Sequence, residues 1–262
     1  MSRTLFNWVR ILMMLGFSGA VMASGLRERP DSLLARVQKG SYKVFQRVGE
    51  DTIPREIGTE TFTKKYFTDN TIVLEIEKEM DFALIGAPSR TLKQKSTLEI
   101  EEDSYFPRRY EMRKENGGME QESGIEMFSN VAIISSRTNK LDEKVTLVLS
   151  AGAMFVEGNS ISQHALLLHR LDSSITRKRN IMVFDPLLKR ESSTVVVYAG
   201  EVTEVTDGES KSLKLYKIEK ERYPVMQLYV DNSGIVVKAS DGVQEFILTG
   251  FEDIELQAPS GG

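Results

Sequence analysis

One stretch, Ser160 to Leu171 (SISQHALLLHRL), carries a long helical pattern in a chain whose other apolar residues mostly recur at every second position. Ile161, Ala165, Leu168 and Leu171 follow i, i+3, i+4 spacing, and Leu167 widens the stripe. Ser160 is a residue type that caps a helix N-terminus, and Gln163 is the type that completes a capping box. His164, His169 and Arg170 fill much of the remaining surface, so Leu168 is expected on the buried side and the histidines opposite. A lone apolar helix among strands fills the concave side of a curved sheet. The fold class expected is therefore mainly β, a curved antiparallel sheet around one main helix.

Alternation defines the strands. Tyr42, Val44 and Gln46 oppose Lys43, Phe45 and Arg47 in phase, and Ile72, Leu74 and Ile76 share one face of Thr71–Glu79. Glu60–Phe67 joins that segment across Thr68-Asp69-Asn70. Further strands are expected at 131–136, 144–150, 181–184, 194–203, 212–220, 225–230, 235–239 and 243–249. Asp207-Gly208, Asn232-Ser233-Gly234 and Asp241-Gly242 supply turns. Ahead of these, Pro30 to Val37 reads as a short N-terminal helix, with Asp31 as a capping type and Gly40 as a stop.

The clearest meander spans Thr91 to Phe128. Asn116-Gly117-Gly118 is a hairpin signal, and closing it with Lys114 opposite Met119 places Arg113 against Glu120 and Met112 against Gln121. One face then carries Leu92, Leu98, Ile100, Tyr110, Met112, Ile125 and Met127, interrupted by Gln94, Ser96, Gln121 and Ser123. Buried polar groups need partners. Such a mixed face suits a lined groove or a partly solvated sheet edge.

The N-terminus reads as a secretory leader: Arg3 and Arg10, an apolar run from Ile11 to Val21, and cleavage after Ala23. The run is shorter than the roughly 20 apolar residues a membrane-crossing helix needs. Residues 1–23 are thus expected as a signal peptide, 24–256 as a single β domain and 257–262 as a flexible tail. The absence of cysteine excludes both disulfides and a lipoprotein-type acylated Cys. The expected compartment is an extracytoplasmic space, most simply a bacterial periplasm. Removing Arg3 and Arg10 takes the formal charge from −4 to −6. An acidic chain without a basic face argues against nucleic acid.

Chemistry-bearing motifs are few. His164 and His169 project about 140° apart on a helix and cannot share a metal. Neither HExxH nor a G-x-S-x-G elbow, a Walker loop or G-x-G-x-x-G occurs, so no catalytic residue, metal ligand or cofactor is assigned. The acidic runs at 99–103 and 120–126 alternate onto a solvent face. Arg108, Arg109, Arg177 and Arg179, near turns or strand ends, are candidates for an anionic head-group rim.

Gly58-Thr59-Glu60, Tyr105-Phe106-Pro107-Arg108-Arg109-Tyr110-Glu111, the Ile161–Leu171 helix with Ile181 to Pro186, and Tyr229 to Val236 together resemble a group of bacterial periplasmic proteins of unknown function. The resemblance implies a half-barrel, one long antiparallel sheet curled around a helix, similar in shape to periplasmic lipoprotein carriers. It also implies a hydrophobic ligand. The leading expectation is a non-catalytic periplasmic protein that binds a lipid or amphiphile, or serves an envelope assembly. Leu98, Ile100, Tyr110, Met112, Gln121, Ile125 and Leu168 are the expected ligand-binding residues. A module that docks an envelope protein through its sheet face or edge is the alternative, and a carboxylate-dependent hydrolase comes third. The sequence leaves the oligomeric state open.

Overall fold

The computed structural model describes residues 32–47, 53–86, 91–139, 141–158, 160–171, 177–206, 209–221 and 223–256. The expected leader and tail lie outside these residues. The first strands are β1 (Leu34–Gln46), β2 (Arg55–Phe67), β3 (Thr71–Asp81), β4 (Thr91–Glu101) and β5 (Pro107–Asn116). Next come β6 (Met119–Phe128), β7 (Val131–Thr138), β8 (Leu141–Val148) and β9 (Met154–Phe155), and then the helix α1 (Ile161–Leu168). The chain continues through β10 (Lys178–Asp185), β11 (Arg190–Thr206), β12 (Glu209–Lys220), β13 (Met226–Val230), β14 (Val236–Ser240) and β15 (Gln244–Glu255).

These strands form one sheet, ordered β8-β7-β6-β5-β4-β3-β2-β1-β15-β14-β13-β12-β11-β10-β9. Every pairing is antiparallel except the short β9–β10 contact. β1 and β15 therefore meet at the centre of the sheet: the chain runs outward from β1 to β8 and, after crossing through β9 and α1, inward from β10 to β15. The expected mainly β, curled architecture is what forms.

The N-terminal helix is not. Leu34 to Val37 belongs to β1, which bonds β2 on one edge and β15 on the other. A two-sided backbone ladder outweighs the few tenths of a kcal/mol per residue that favour Leu and Ala in helices. The register slips by one residue at Ala35, and beyond it Gln38, Gly40, Tyr42 and Val44 share the inward face with Lys64, Phe62 and Glu60 of β2.

The β5–β6 hairpin also differs from expectation by two residues. Asn116 pairs with Met119 across Gly117 and Gly118, both at positive φ (58° and 81°), the geometry of a two-residue primed turn. Met112 thus faces Ser123, and Arg113 faces Glu122 while also lying 3.8 Å from Glu120. A slip of two preserves the face of every side chain, so the inward set survives the correction.

Helix α1 is shorter than the sequence pattern and enclosed on most sides. Ile161, Ser162, Gln163, His164, Leu166 and Leu167 are buried, Ala165 and Leu168 are partly covered, and His169 is exposed. The expected division into a leucine face and a histidine face is corrected accordingly. His164 lies deep in the core, and Leu168 is peripheral. A helix held inside a curled sheet meets packing on more than one side, and a single stripe cannot describe it.

Candidate functional site

Charged residues occupy inward positions of β2 and β3. Along β2, Glu60, Phe62, Lys64 and Tyr66 alternate onto one face, and Lys78 shares the inward face of β3 with Leu74, Ile76 and Met80. Glu60 is fully buried and forms an ion pair with Lys78 at 3.1 Å. Its carboxylate also accepts from the Ser162 N–H (2.9 Å) and Oγ–H (2.7 Å) at the start of α1. The longer contacts to Ile161 N (3.4 Å) and Ser160 Oγ (3.3 Å) complete the set. The helix cap expected from Ser160 is therefore supplied by a strand carboxylate, which satisfies the free amides and meets the positive end of the helix. Desolvation pushes the Glu60 pKa up, but the Lys78 charge and the Ser162 donors outweigh it and hold it below the ordinary value.

Gln163 likewise points elsewhere than its own cap. Its Oε1 accepts from the Glu157 N–H at 2.7 Å. The Glu157 carboxylate, in the turn before α1, accepts from Tyr110 Oη at 2.6 Å and from the Gln94 amide. Burial first, and then the Glu157 charge, raises the Tyr110 pKa well above the usual phenol range. This is how much of the mixed inner face is satisfied. Leu98, Ile100, Tyr110, Met112 and Ile125 are each at most 3% exposed and sit in the continuous core, and Gln121 is partly covered at its edge. None of these five lines the cleft described next.

That cleft lies along the side of the helix region that carries Ser162, Ala165, Leu166 and His169. A half-open cleft of about 230 Å³ runs between the helix and strands β1, β2 and β15. Its apolar surface comes from Tyr42, Phe62, Leu74, Ala165, Leu166, Val236 and Phe251. Phe62 stacks on Tyr42 (centroids 5.8 Å apart), whose hydroxyl donates to the Val236 carbonyl at 2.9 Å. Gly40, paired with Phe62 across β1 and β2, leaves room for that ring: a Cβ at Gly40 would stand 2.3 Å from it.

The polar part of the cleft is built by Arg36, Gln38, Lys64, Tyr66 and His169. Arg36 donates through Nε to Asp253 at 2.7 Å and through a second nitrogen to the other oxygen, and Gln38 donates to the same carboxylate at 2.9 Å. The Arg36 hydrogen bond is the main reason the Asp253 pKa falls to about 2. Tyr66 donates to Gln38 Oε1 at 2.9 Å.

Lys64 differs from Arg36. It is 8% exposed, and its ammonium lies 4.8 Å from the Tyr66 ring centre and 5.9 Å from that of Tyr105. No carboxylate among the described residues reaches ion-pair distance. Desolvation brings its pKa down to about 8, partly countered by Glu102. Tyr105 itself is held at φ +51° in the β4–β5 turn, an uncommon conformation for a bulky residue, and its ring stacks on His169 with centroids 4.6 Å apart. Although His169 is exposed along one side, desolvation of the ring and then the Lys64 charge push its pKa down to about 4.

The expected arginine rim does not gather at this cleft. Arg108 pairs with Glu101 at 3.0 Å, and Arg109 pairs with Glu111. Arg179 donates to the Arg170 carbonyl at 2.5 Å, and Arg177 is exposed beside β10. Leu168 packs against the core without lining the cleft. Lys64, Arg36, Tyr66 and Phe62 were not singled out from the sequence; the signal was a cation at an inward phase of β2.

Among the described residues, no group of three or more metal-ligating side chains occurs, and no helix is long and apolar enough to cross a membrane. The fold and cleft define a β half-barrel-like protein with one internal helix. The chain is similar to the crystal structure of a beta-barrel-like protein of domain of unknown function DUF1849 from Brucella abortus. The TM-score is 0.60 at 11% identity, and the match covers 86% of this chain and 100% of that one, a likeness of fold. No family model and no curated protein sequence matches the chain.

Proposed function

We propose that this is a non-catalytic binding protein that holds a small hydrophobic or amphiphilic molecule in the cleft between α1 and β1–β2. The observation that carries the reading is the half-open volume of about 230 Å³, apolar along Phe62, Leu166 and Phe251 and polar around Lys64 and Tyr66. A dry cavity of about 150 Å³ holds a benzene-sized molecule, so this space suits a ligand of about nine or ten heavy atoms. The leader-like N-terminus supports a periplasmic setting, where amphiphiles cross water between membranes. Titration with a fluorescent amphiphile tests the reading. Saturable one-to-one binding is expected, and Ala165→Phe, which fills the cleft from the helix side, is expected to abolish it while leaving thermal unfolding cooperative.

A second reading rests on the sheet's open end. Among the described residues β8 pairs only with β7, and it exposes Leu141 (64%) and Val148 (73%), a surface suited to docking an extended segment of an envelope protein. A Thr146→Pro change on β8 that left amphiphile binding intact but removed a partner interaction would favour it.

A further inference from the structure

The cleft contains a feature that a purely apolar ligand would leave unused. Lys64 is a lysine withdrawn from solvent that meets no anion at ion-pair distance among the described residues, and such a group is costly unless something compensates the charge. The other cation of the cleft, Arg36, is already neutralised by two hydrogen bonds to Asp253. The local surplus is thus one positive charge on Lys64, softened by Glu102 at longer range. Two places along β2, Phe62 begins the apolar wall, one side-chain step of roughly 7 Å away on the same face.

Resting on the amphiphile reading, we propose that the cleft selects a medium-chain monocarboxylate, its head group bound to the Lys64 ammonium and its tail against Phe62, Ala165 and Leu166. A single ammonium matches one negative charge, which favours a carboxylate over a phosphate dianion. Tyr66 and Tyr105 flank the ammonium and supply π faces that leave its remaining hydrogens for the ligand. The volume accommodates about ten heavy atoms, the size of octanoate.

The head-group assignment has a pH signature. The groups facing Lys64 are Arg36 on β1, Tyr66 on β2, Glu102 and Tyr105 in the β4–β5 turn, and His169 just past the end of α1. Tyr105 is raised to about 12, Tyr66 is raised as well, and His169 is lowered to about 4, so these three rings keep their charge state between pH 7 and 9.5. Lys64, at about 8, does. A carboxylate binds its protonated form, so affinity falls as pH rises above that value, and binding near pH 8.5 draws a proton from solution.

Calorimetric titration of the full chain with octanoate, octan-1-ol and acetate separates the contributions. Octanoate is expected to bind about 10- to 100-fold more tightly than octanol at pH 7, the worth of one charge-assisted hydrogen bond. Acetate is expected not to bind at matched concentrations. Lys64→Met should erase the preference for octanoate, Lys64→Arg should retain it, and buffers of different ionisation heat should reveal proton uptake at pH 8.5. Equal binding of octanol and octanoate, or a preference that survives in Lys64→Met, overturns the head-group assignment and leaves the cleft reading standing. Acetate binding as tightly as octanoate overturns the role of the tail. If neither long-chain probe binds folded wild type, the assignment falls together with the cleft reading.

Discussion

The carboxylate of Glu60 accepts the N–H of Ser162 at 2.9 Å although 102 residues separate them. The same carboxylate holds Lys78, so one buried anion ties β2, β3 and the start of α1 together. The internal helix is thereby fixed to the concave face on which the cleft opens.

Removing that anion should be costly. Glu60→Gln removes the negative charge that the buried Lys78 ammonium and the first amides of α1 share, and a loss of about 3–5 kcal/mol is expected in urea unfolding at pH 7. The Glu60 pKa is lower in the folded chain than its ordinary 4.5, so its contribution is complete above pH 4.5 and disappears as pH falls through the folded value. Wild type and variant should converge in stability toward acid pH.

Lys64 has the opposite sign. Its pKa of about 8, against an ordinary 10.5, means the unfolded chain binds more protons between those values. Folding carries a penalty of about 3 kcal/mol below pH 8 that is relieved as pH rises toward 10.5. Lys64→Met should therefore be more stable than wild type at pH 7 by up to about 3 kcal/mol, with the difference shrinking by pH 10. Urea midpoints across that range measure it. A destabilised variant would mean the ammonium already has a strong internal partner.

Leu167 and Leu168 make a paired test of the helix orientation. Leu167 is fully buried and should cost about 2–5 kcal/mol as Ala, whereas partly covered Leu168 should cost clearly less. Equal losses in chemical denaturation would place α1 in a different rotation.

Gly58 sits beside the β1–β2 bulge, where a Cβ would lie 2.0 Å from the Glu79 carbonyl oxygen. That neighbour is backbone and cannot swing aside. Gly58→Ala should lower stability by at least about 1–3 kcal/mol, whereas Gly250→Ala, which meets no atom, should be close to neutral. Thermal melting of the two variants distinguishes them.

Much of the sheet was legible because alternation survives changes of register. Ile72, Leu74, Ile76, Leu98, Ile100, Tyr110 and Ile125 all face inward as their phase implies, and the two-residue error at Gly117-Gly118 left that phase intact. The start of β1 was not legible, because Leu33-Leu34-Ala35 carries helical propensity that only pairing to β2 and β15 overrides. Nor were the partners of the inward polar groups. Gln94 and Tyr110 alternate onto the inward face as their phase implies, but nothing in the local pattern shows that Glu157, from the turn before α1, bonds both. The cleft was signalled only by Lys64 sharing a phase with Phe62 and Tyr66, a single cation among apolar neighbours whose meaning depends on which strands and helix close over it.

A crystal structure of the protein saturated with octanoate tests the central claim most directly. The account predicts the tail between Phe62 and Leu166 and a carboxylate oxygen within about 3 Å of Lys64 Nζ, the usual charge-assisted hydrogen-bond length. An empty cleft in crystals of protein shown to be saturated, or octanoate seated away from α1 and β2, would contradict it.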